Sequence, residues 1–140
     1  MAPADRICFE APLDEAFRPV VRLVVGGVTE RADFDFEAMD DLQLAIERLL
    51  VEAGTDGRAR LCFELREDGI RATVGPLPER GLAGALQDPG APGALSLAQI
   101  LNTVVDSYGV EEATGGVYGV EEATGGAIMV RLEKLGRGRA

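Results

Sequence analysis

The side chains of this chain that could do chemistry are carboxylates. Its 140 residues contain no histidine, which removes Ser-His-Asp relays, Cys-His nucleophiles and imidazole metal ligands together. Cys8 and Cys62 are isolated and lack metal-ligand spacing, so two reduced, inert thiols in the cytoplasm are expected. Asp40 and Asp41 stand near the start of a helical pattern. They could meet a basic partner, although acids in a first helical turn are favoured by the helix dipole in any case. Glu111, Glu112, Glu121 and Glu122 form two acidic pairs. They could crowd around a cation, but a strand sends adjacent glutamates to opposite faces. Glu47, in the middle of a strongly amphipathic segment, is either an exposed helical carboxylate or a catalytic base.

Charge narrows the partners. With 24 acidic and 14 basic residues the formal net charge is −10. That argues against nucleic acid and anionic membranes, both of which demand clustered cations. It suits a basic protein partner. No run of about 18 apolar residues is present, so no membrane span is expected. The start, MAPADRICFE, has no apolar stretch after a charged segment and does not read as a signal peptide. One domain over residues 1–135, with a solvated tail at 136–140, fits this length. Its core must be aliphatic, because the chain has five Phe, two Tyr and no Trp.

The elements that must carry these groups follow from periodicity. Residues 6–10 alternate as a strand, with Ile7 and Phe9 on one side and Cys8 and Glu10 on the other. Residues 14–31 carry a wide apolar helical stripe including Phe17, Val20, Val21, Val24, Val25 and Val28, and Pro19 marks the true helix start. Asp35 caps a second helix over 36–53, in which Phe36, Met39, Leu42, Ile46, Leu49, Leu50 and Ala53 recur at spacings of three and four. Residues 58–66 alternate cleanly, with Ala59, Leu61, Phe63 and Leu65 facing inward. The turn EDG and a returning strand through Ile70, Ala72 and Val74 follow. Residues 75–94 hold five glycines and four prolines and predict a long loop. Ser96 and Gln99 form a capping box for a helix reaching about Asp106. Residues 127–135 alternate again through Ile128, Val130 and Leu132. The result is an α+β fold: a two-layer sandwich whose mixed, mostly antiparallel sheet carries three helices on one face.

A tandem copy interrupts this plan. Residues 108–116 and 118–126 are both YGVEEATGG. Two copies of ten residues are too short and too few for a solenoid, so the copy is a local duplication inside an ordinary domain. One copy is expected to pair with 127–135 as a terminal hairpin, and either copy could serve. Ten is even, so the insert keeps a strand's alternation, whereas a helix would be thrown about 80° out of phase. A surplus strand offers an exposed edge, and with it a route to a homodimer or an oligomerising scaffold.

The element order resembles the anti-sigma-factor serine kinases of the histidine-kinase-like (GHKL) ATPase superfamily, of the actinobacterial type. The similarity covers about residues 5–135. It is carried by FRPVVRLVVGGV, DDLQLAIE, the hairpin RLCFELREDGIRATV, and the ending LSLAQILNTVVDSYGVEEATGG…AIMVRLEKL. In that family a helical Glu is followed four residues later by an Asn that holds Mg²⁺ against ATP. The resemblance places Glu47 at the Glu and Val51 at the Asn. The adenine-reading Asp-x-Gly-x-Gly falls on TVGPLPERG, with no acid between Arg71 and Glu79, and the phosphate turn keeps only Gly93. The loop at 75–94 takes the place of the ATP lid. The resemblance therefore implies a degenerate site with no bound cofactor and Glu47 as a vestige, in a pseudokinase that binds a sigma factor or an anti-anti-sigma protein. The alternative it leaves is an active serine/threonine protein kinase using ATP and Mg²⁺.

Overall fold

The computed structural model describes residues 5–78, 82–88, 90, 95–112 and 127–136. The order is β1 (Asp5–Pro12), a 3₁₀ turn (Glu15–Phe17), α1 (Arg18–Arg31), α2 (Phe36–Ala53), β2 (Arg58–Leu65), β3 (Gly69–Pro78), α3 (Leu82–Gln87), α4 (Leu97–Val104), β4 (Ser107–Glu112) and β5 (Ala127–Leu135). The strands form one sheet in the order β1-β2-β3-β5-β4. Every pairing among the described strands is antiparallel, so the sheet is not mixed. Among the described residues the helical layer holds four α-helices rather than three.

The helix boundaries follow from local chemistry. Asp35 is extended and its Oδ1 accepts the Ala38 N–H at 2.7 Å, which satisfies one of the free donors of the first turn of α2. The Ser96 Oγ accepts the Gln99 N–H and the Gln99 side chain accepts the Ser96 N–H, closing the expected capping box on α4. Proline stands in the first turn of α1, where no intrahelical N–H is lost.

The inner face of the sheet and the helices close over one aliphatic core. Leu61 and Phe63 of β2, Ala72 and Val74 of β3, and Val130 and Leu132 of β5 meet Val25, Leu42, Ile46, Leu49 and Leu101 from the helices. Two expectations about burial fail. Phe36 is 78% exposed, because the buried stripe of α2 begins at Ala38, two residues further on. Phe17 at the end of the 3₁₀ turn and Val20 on α1 also lie outside the core, which takes Val21, Val25, Val28 and Thr29 from α1.

The stretch 75–94 is not one long loop. β3 runs on to Pro78 across a bulge, with a register shift between Val74 and Leu77. Gly75 supplies the bulge with φ near 151° and leaves room for Met129, whose Sδ would lie 2.7 Å from an added Cβ. Leu82 and Leu86 of α3 are buried, and the Tyr108 hydroxyl donates to the Leu86 carbonyl at 2.8 Å, tying α3 to β4. The apolar spacing that encodes α3 is only one turn long, too short to stand out among prolines and glycines.

The cysteines are not free thiols: Cys8 and Cys62 form a disulfide. They are direct partners in the β1–β2 register. Alternation puts both on the outer face, and pairing of the two strands then brings them together. Among the described residues no helix is long and apolar enough to cross a membrane.

Among the described residues, the first copy of the repeat pairs with β5. Residues 107–112 are matched one to one with β5, from Ser107 opposite Glu133 to Glu112 opposite Ile128. The second copy, and with it Glu121 and Glu122, lies outside the described residues.

Candidate functional site

Glu47 and Val51 share the exposed side of α2, one turn apart, as residues four apart must. Glu47 does not stand free. Arg22 of α1 donates from Nη1 to its Oε2 at 3.0 Å, and the same guanidinium lies 3.8 Å from Asp40. Gln43 completes the seam by donating from Nε2 to the Arg22 carbonyl at 3.1 Å. Helix α1 thus reaches Glu47 first, through a side chain that no motif singled out. The only local sign of it is an arginine beside the apolar stripe of α1.

The space under this seam is small. Arg18, Arg22, Gln43 and Glu47 rim a cavity of about 10 Å³ floored by Val25 and Ile46, at the threshold for a single water. Among the described residues the Arg18 Nε is buried without a hydrogen-bond partner. Val51 offers only methyl groups, so the position one turn beyond Glu47 supplies no oxygen to a hard cation. Among the described residues no group of three His, Cys, Asp or Glu side chains could hold a metal ion.

The other sequence candidates are dispersed. Asp41 turns away from Asp40 and accepts Lys134 Nζ at 3.1 Å, a largely buried ion pair joining α2 to the end of β5. Glu111 is taken by Arg131 at 3.0 Å. Where the resemblance places an adenine-reading segment, Leu77 is fully buried and Pro78 ends β3. Gly93 lies outside the described residues.

A larger cleft, of about 160 Å³, opens at the end of the sheet. Arg66, Arg71 and Lys134 line it together with Asp68, Asp106 and Glu133. The charges balance, and several are already engaged: Asp106 accepts the Leu135 N–H at 2.7 Å and Glu133 lies between Arg71 and Arg131. The volume falls short of the roughly 300–1,000 Å³ usual for small-molecule sites.

The face of the sheet that the described helices leave uncovered has a pattern of charge. The register places Arg6 opposite Glu64, Glu64 opposite Arg71, and Arg71 opposite Glu133. Opposite charges thus alternate across four strands, each pair contributing roughly 0.2–1 kcal/mol. This face is stabilised as solvated surface.

Fold and site together define a two-layer α+β sandwich with an antiparallel sheet and a pre-engaged carboxylate on its second helix. No protein-family model and no curated protein matches the chain.

Proposed function

We propose that this domain is a regulatory protein-binding module of the anti-sigma-factor type, without kinase activity. The observation that carries the reading is the seam around Glu47. Its carboxylate is ion-paired to Arg22, the position one turn further on is Val51, and the cavity beneath has room for about one water. A phosphoryl-transfer site needs the reverse: an unengaged base, a second oxygen for Mg²⁺, and space for a triphosphate.

Surface chemistry supports binding of a protein. Val20 and Leu23 are exposed on α1, the latter at 77%, and spacing of three puts them on one side of the helix. Leu44 and Val51 are exposed one above the other on α2. The net charge of −10 favours a basic partner. A sigma factor or an anti-anti-sigma protein in the cytoplasm is the partner class that the sequence resemblance implies.

Calorimetric titration with Mg·ATP is expected to show no binding, and low-micromolar affinity would overturn the kinase-inactive half of the reading. Affinity capture from the native host is expected to retain a transcription regulator, and to lose it with Leu23→Glu. Capture of no regulator would overturn the other half.

A further inference from the structure

We infer that the Cys8–Cys62 disulfide is a redox latch on edge strand β1, opened by dithiol reductants. The inference stands apart from the protein-binding reading and rests on where the bond sits.

Among the described residues strand β1 ends the sheet, with β2 as its neighbour on one side only. Its side chains bury little. Only Ala11 is fully buried; Phe9, which stacks on Phe63 with ring centroids 6.2 Å apart, is partly buried. Its two ion pairs, Asp5 with Arg31 at 2.9 Å and Glu10 with Arg58 at 2.6 Å, are solvent-exposed and add little to stability. The strand is held by its backbone ladder to β2 and by the disulfide. Edge ladders with few buried apolar contacts open at low free energy. A covalent bond in the middle of an eight-residue register suppresses that opening.

The two cysteines are unequal in a way that suits a latch. Cys62 is buried on β2, between Leu61 and Phe63 of the core, and cannot move without disrupting the fold. Cys8 is more accessible and belongs to the strand that can leave. Both side chains lie on the face that none of the described helices covers, and Cys8 is the more exposed of the two, so a reductant approaches the bond from the Cys8 side.

The exchange is a two-electron reduction. The thiolate of an external dithiol attacks Cys8 Sγ, forms a mixed disulfide, and expels Cys62 as thiolate, which takes a proton from solvent. The second thiol of the reagent then attacks its own sulfur in the mixed disulfide and expels Cys8. The protein ends as a dithiol and the reagent as a cyclic disulfide. What is released is β1, and what it uncovers is the backbone edge of β2, a row of donors and acceptors open to another strand.

Hydrogen exchange with mass-spectrometric readout tests this on the full chain. Protein equilibrated with oxidised glutathione is compared with the same protein in dithiothreitol and with the Cys8→Ser/Cys62→Ser variant. Alkylation of two thiols is expected only after reduction. Amides of residues 5–11 are expected to exchange about tenfold faster in the reduced protein and in the variant, with α2 and β5 unchanged. Two thiols alkylated after oxidation would overturn the inference, as would equal exchange of β1 in both states. Faster exchange throughout α2 and β5 would also overturn it, because the bond would then staple the whole fold rather than one strand.

Discussion

Deleting residues 117–126 is expected to stabilise the domain. The first copy already fills the edge of the sheet, with residues 107–112 paired along β5. Between the end of β4 and the start of β5 the chain has fourteen residues, 113–126. The deletion leaves four, Ala113-Thr114-Gly115-Gly116, running directly into Ala127. The register continues naturally: with Glu112 opposite Ile128, Ala113 falls opposite Ala127. Thr114-Gly115-Gly116 then makes a three-residue hairpin connection, with glycine available for the left-handed position such turns use. Shortening a connection from fourteen to four residues lowers the closure cost by (3/2)RT ln(14/4), about 1.1 kcal/mol. At about 2.1 cal/mol/K of unfolding entropy per residue, a chain of about 130 residues gains about 4 °C in Tm. Differential scanning calorimetry of the two chains reads this directly. Removing 107–116 instead is the matched control, since it differs only by valine at the place of Ser107. That chain should agree with the first deletion within about 0.5 kcal/mol. A Tm that falls on deleting 117–126, or a transition that loses cooperativity, refutes the reasoning. Either result would mean that the second copy supplies contacts that the pairing of the first cannot replace.

Other perturbations have defined outcomes. Leu49→Ala, at a fully buried position on α2, should cost about 3–5 kcal/mol in chemical denaturation. Tyr108→Phe removes the hydroxyl that donates to Leu86 and should cost about 1 kcal/mol, read the same way. Glu47→Gln should change stability by less than about 1 kcal/mol, because its ion pair with Arg22 is half exposed. The same variant should leave nucleotide-dependent phosphate transfer at the background seen for the parent chain in a radiolabel assay. Gly75→Ala should cost roughly 1–3 kcal/mol in thermal melts, since its backbone conformation disfavours a side chain and an added Cβ would lie 2.7 Å from the Ile128 carbonyl. Sedimentation of the parent chain and the 117–126 deletion separates a scaffold from a monomeric module. A dimer dissolved by the deletion would support assembly through the duplicated strand.

Several elements are legible in the residues themselves. Asp35 before an amphipathic run, Ser96 three residues before Gln99, and EDG between two alternating segments each specify a short-range hydrogen-bond pattern. Each appears where those residues place it. Alternation at 58–66 and 127–135 likewise names the inner face correctly. The missed elements lack such signals. Helix α3 has six residues, a single turn of pattern hidden among breakers. Phe36 satisfies the helical period of α2 yet stays exposed, because period alone does not say where a helix leaves the core. At the candidate site, the sequence puts Glu47 and Val51 one turn apart on a helix, but it is silent about Arg22.

Local chemistry, then, sets the helices and their caps, the alternation of the strands, the absence of histidine and the missing oxygen at Val51. These depend on neighbours within a few residues, and such contacts form wherever the chain lies. The order β1-β2-β3-β5-β4, the pairing of residues 107–112 with β5, the bond between Cys8 and Cys62 and the capture of Glu47 by Arg22 depend on packing. Each joins groups far apart in the chain. The cost of bringing such groups together is met by burying the shared aliphatic core, and only the arrangement that closes that core decides which of them meet.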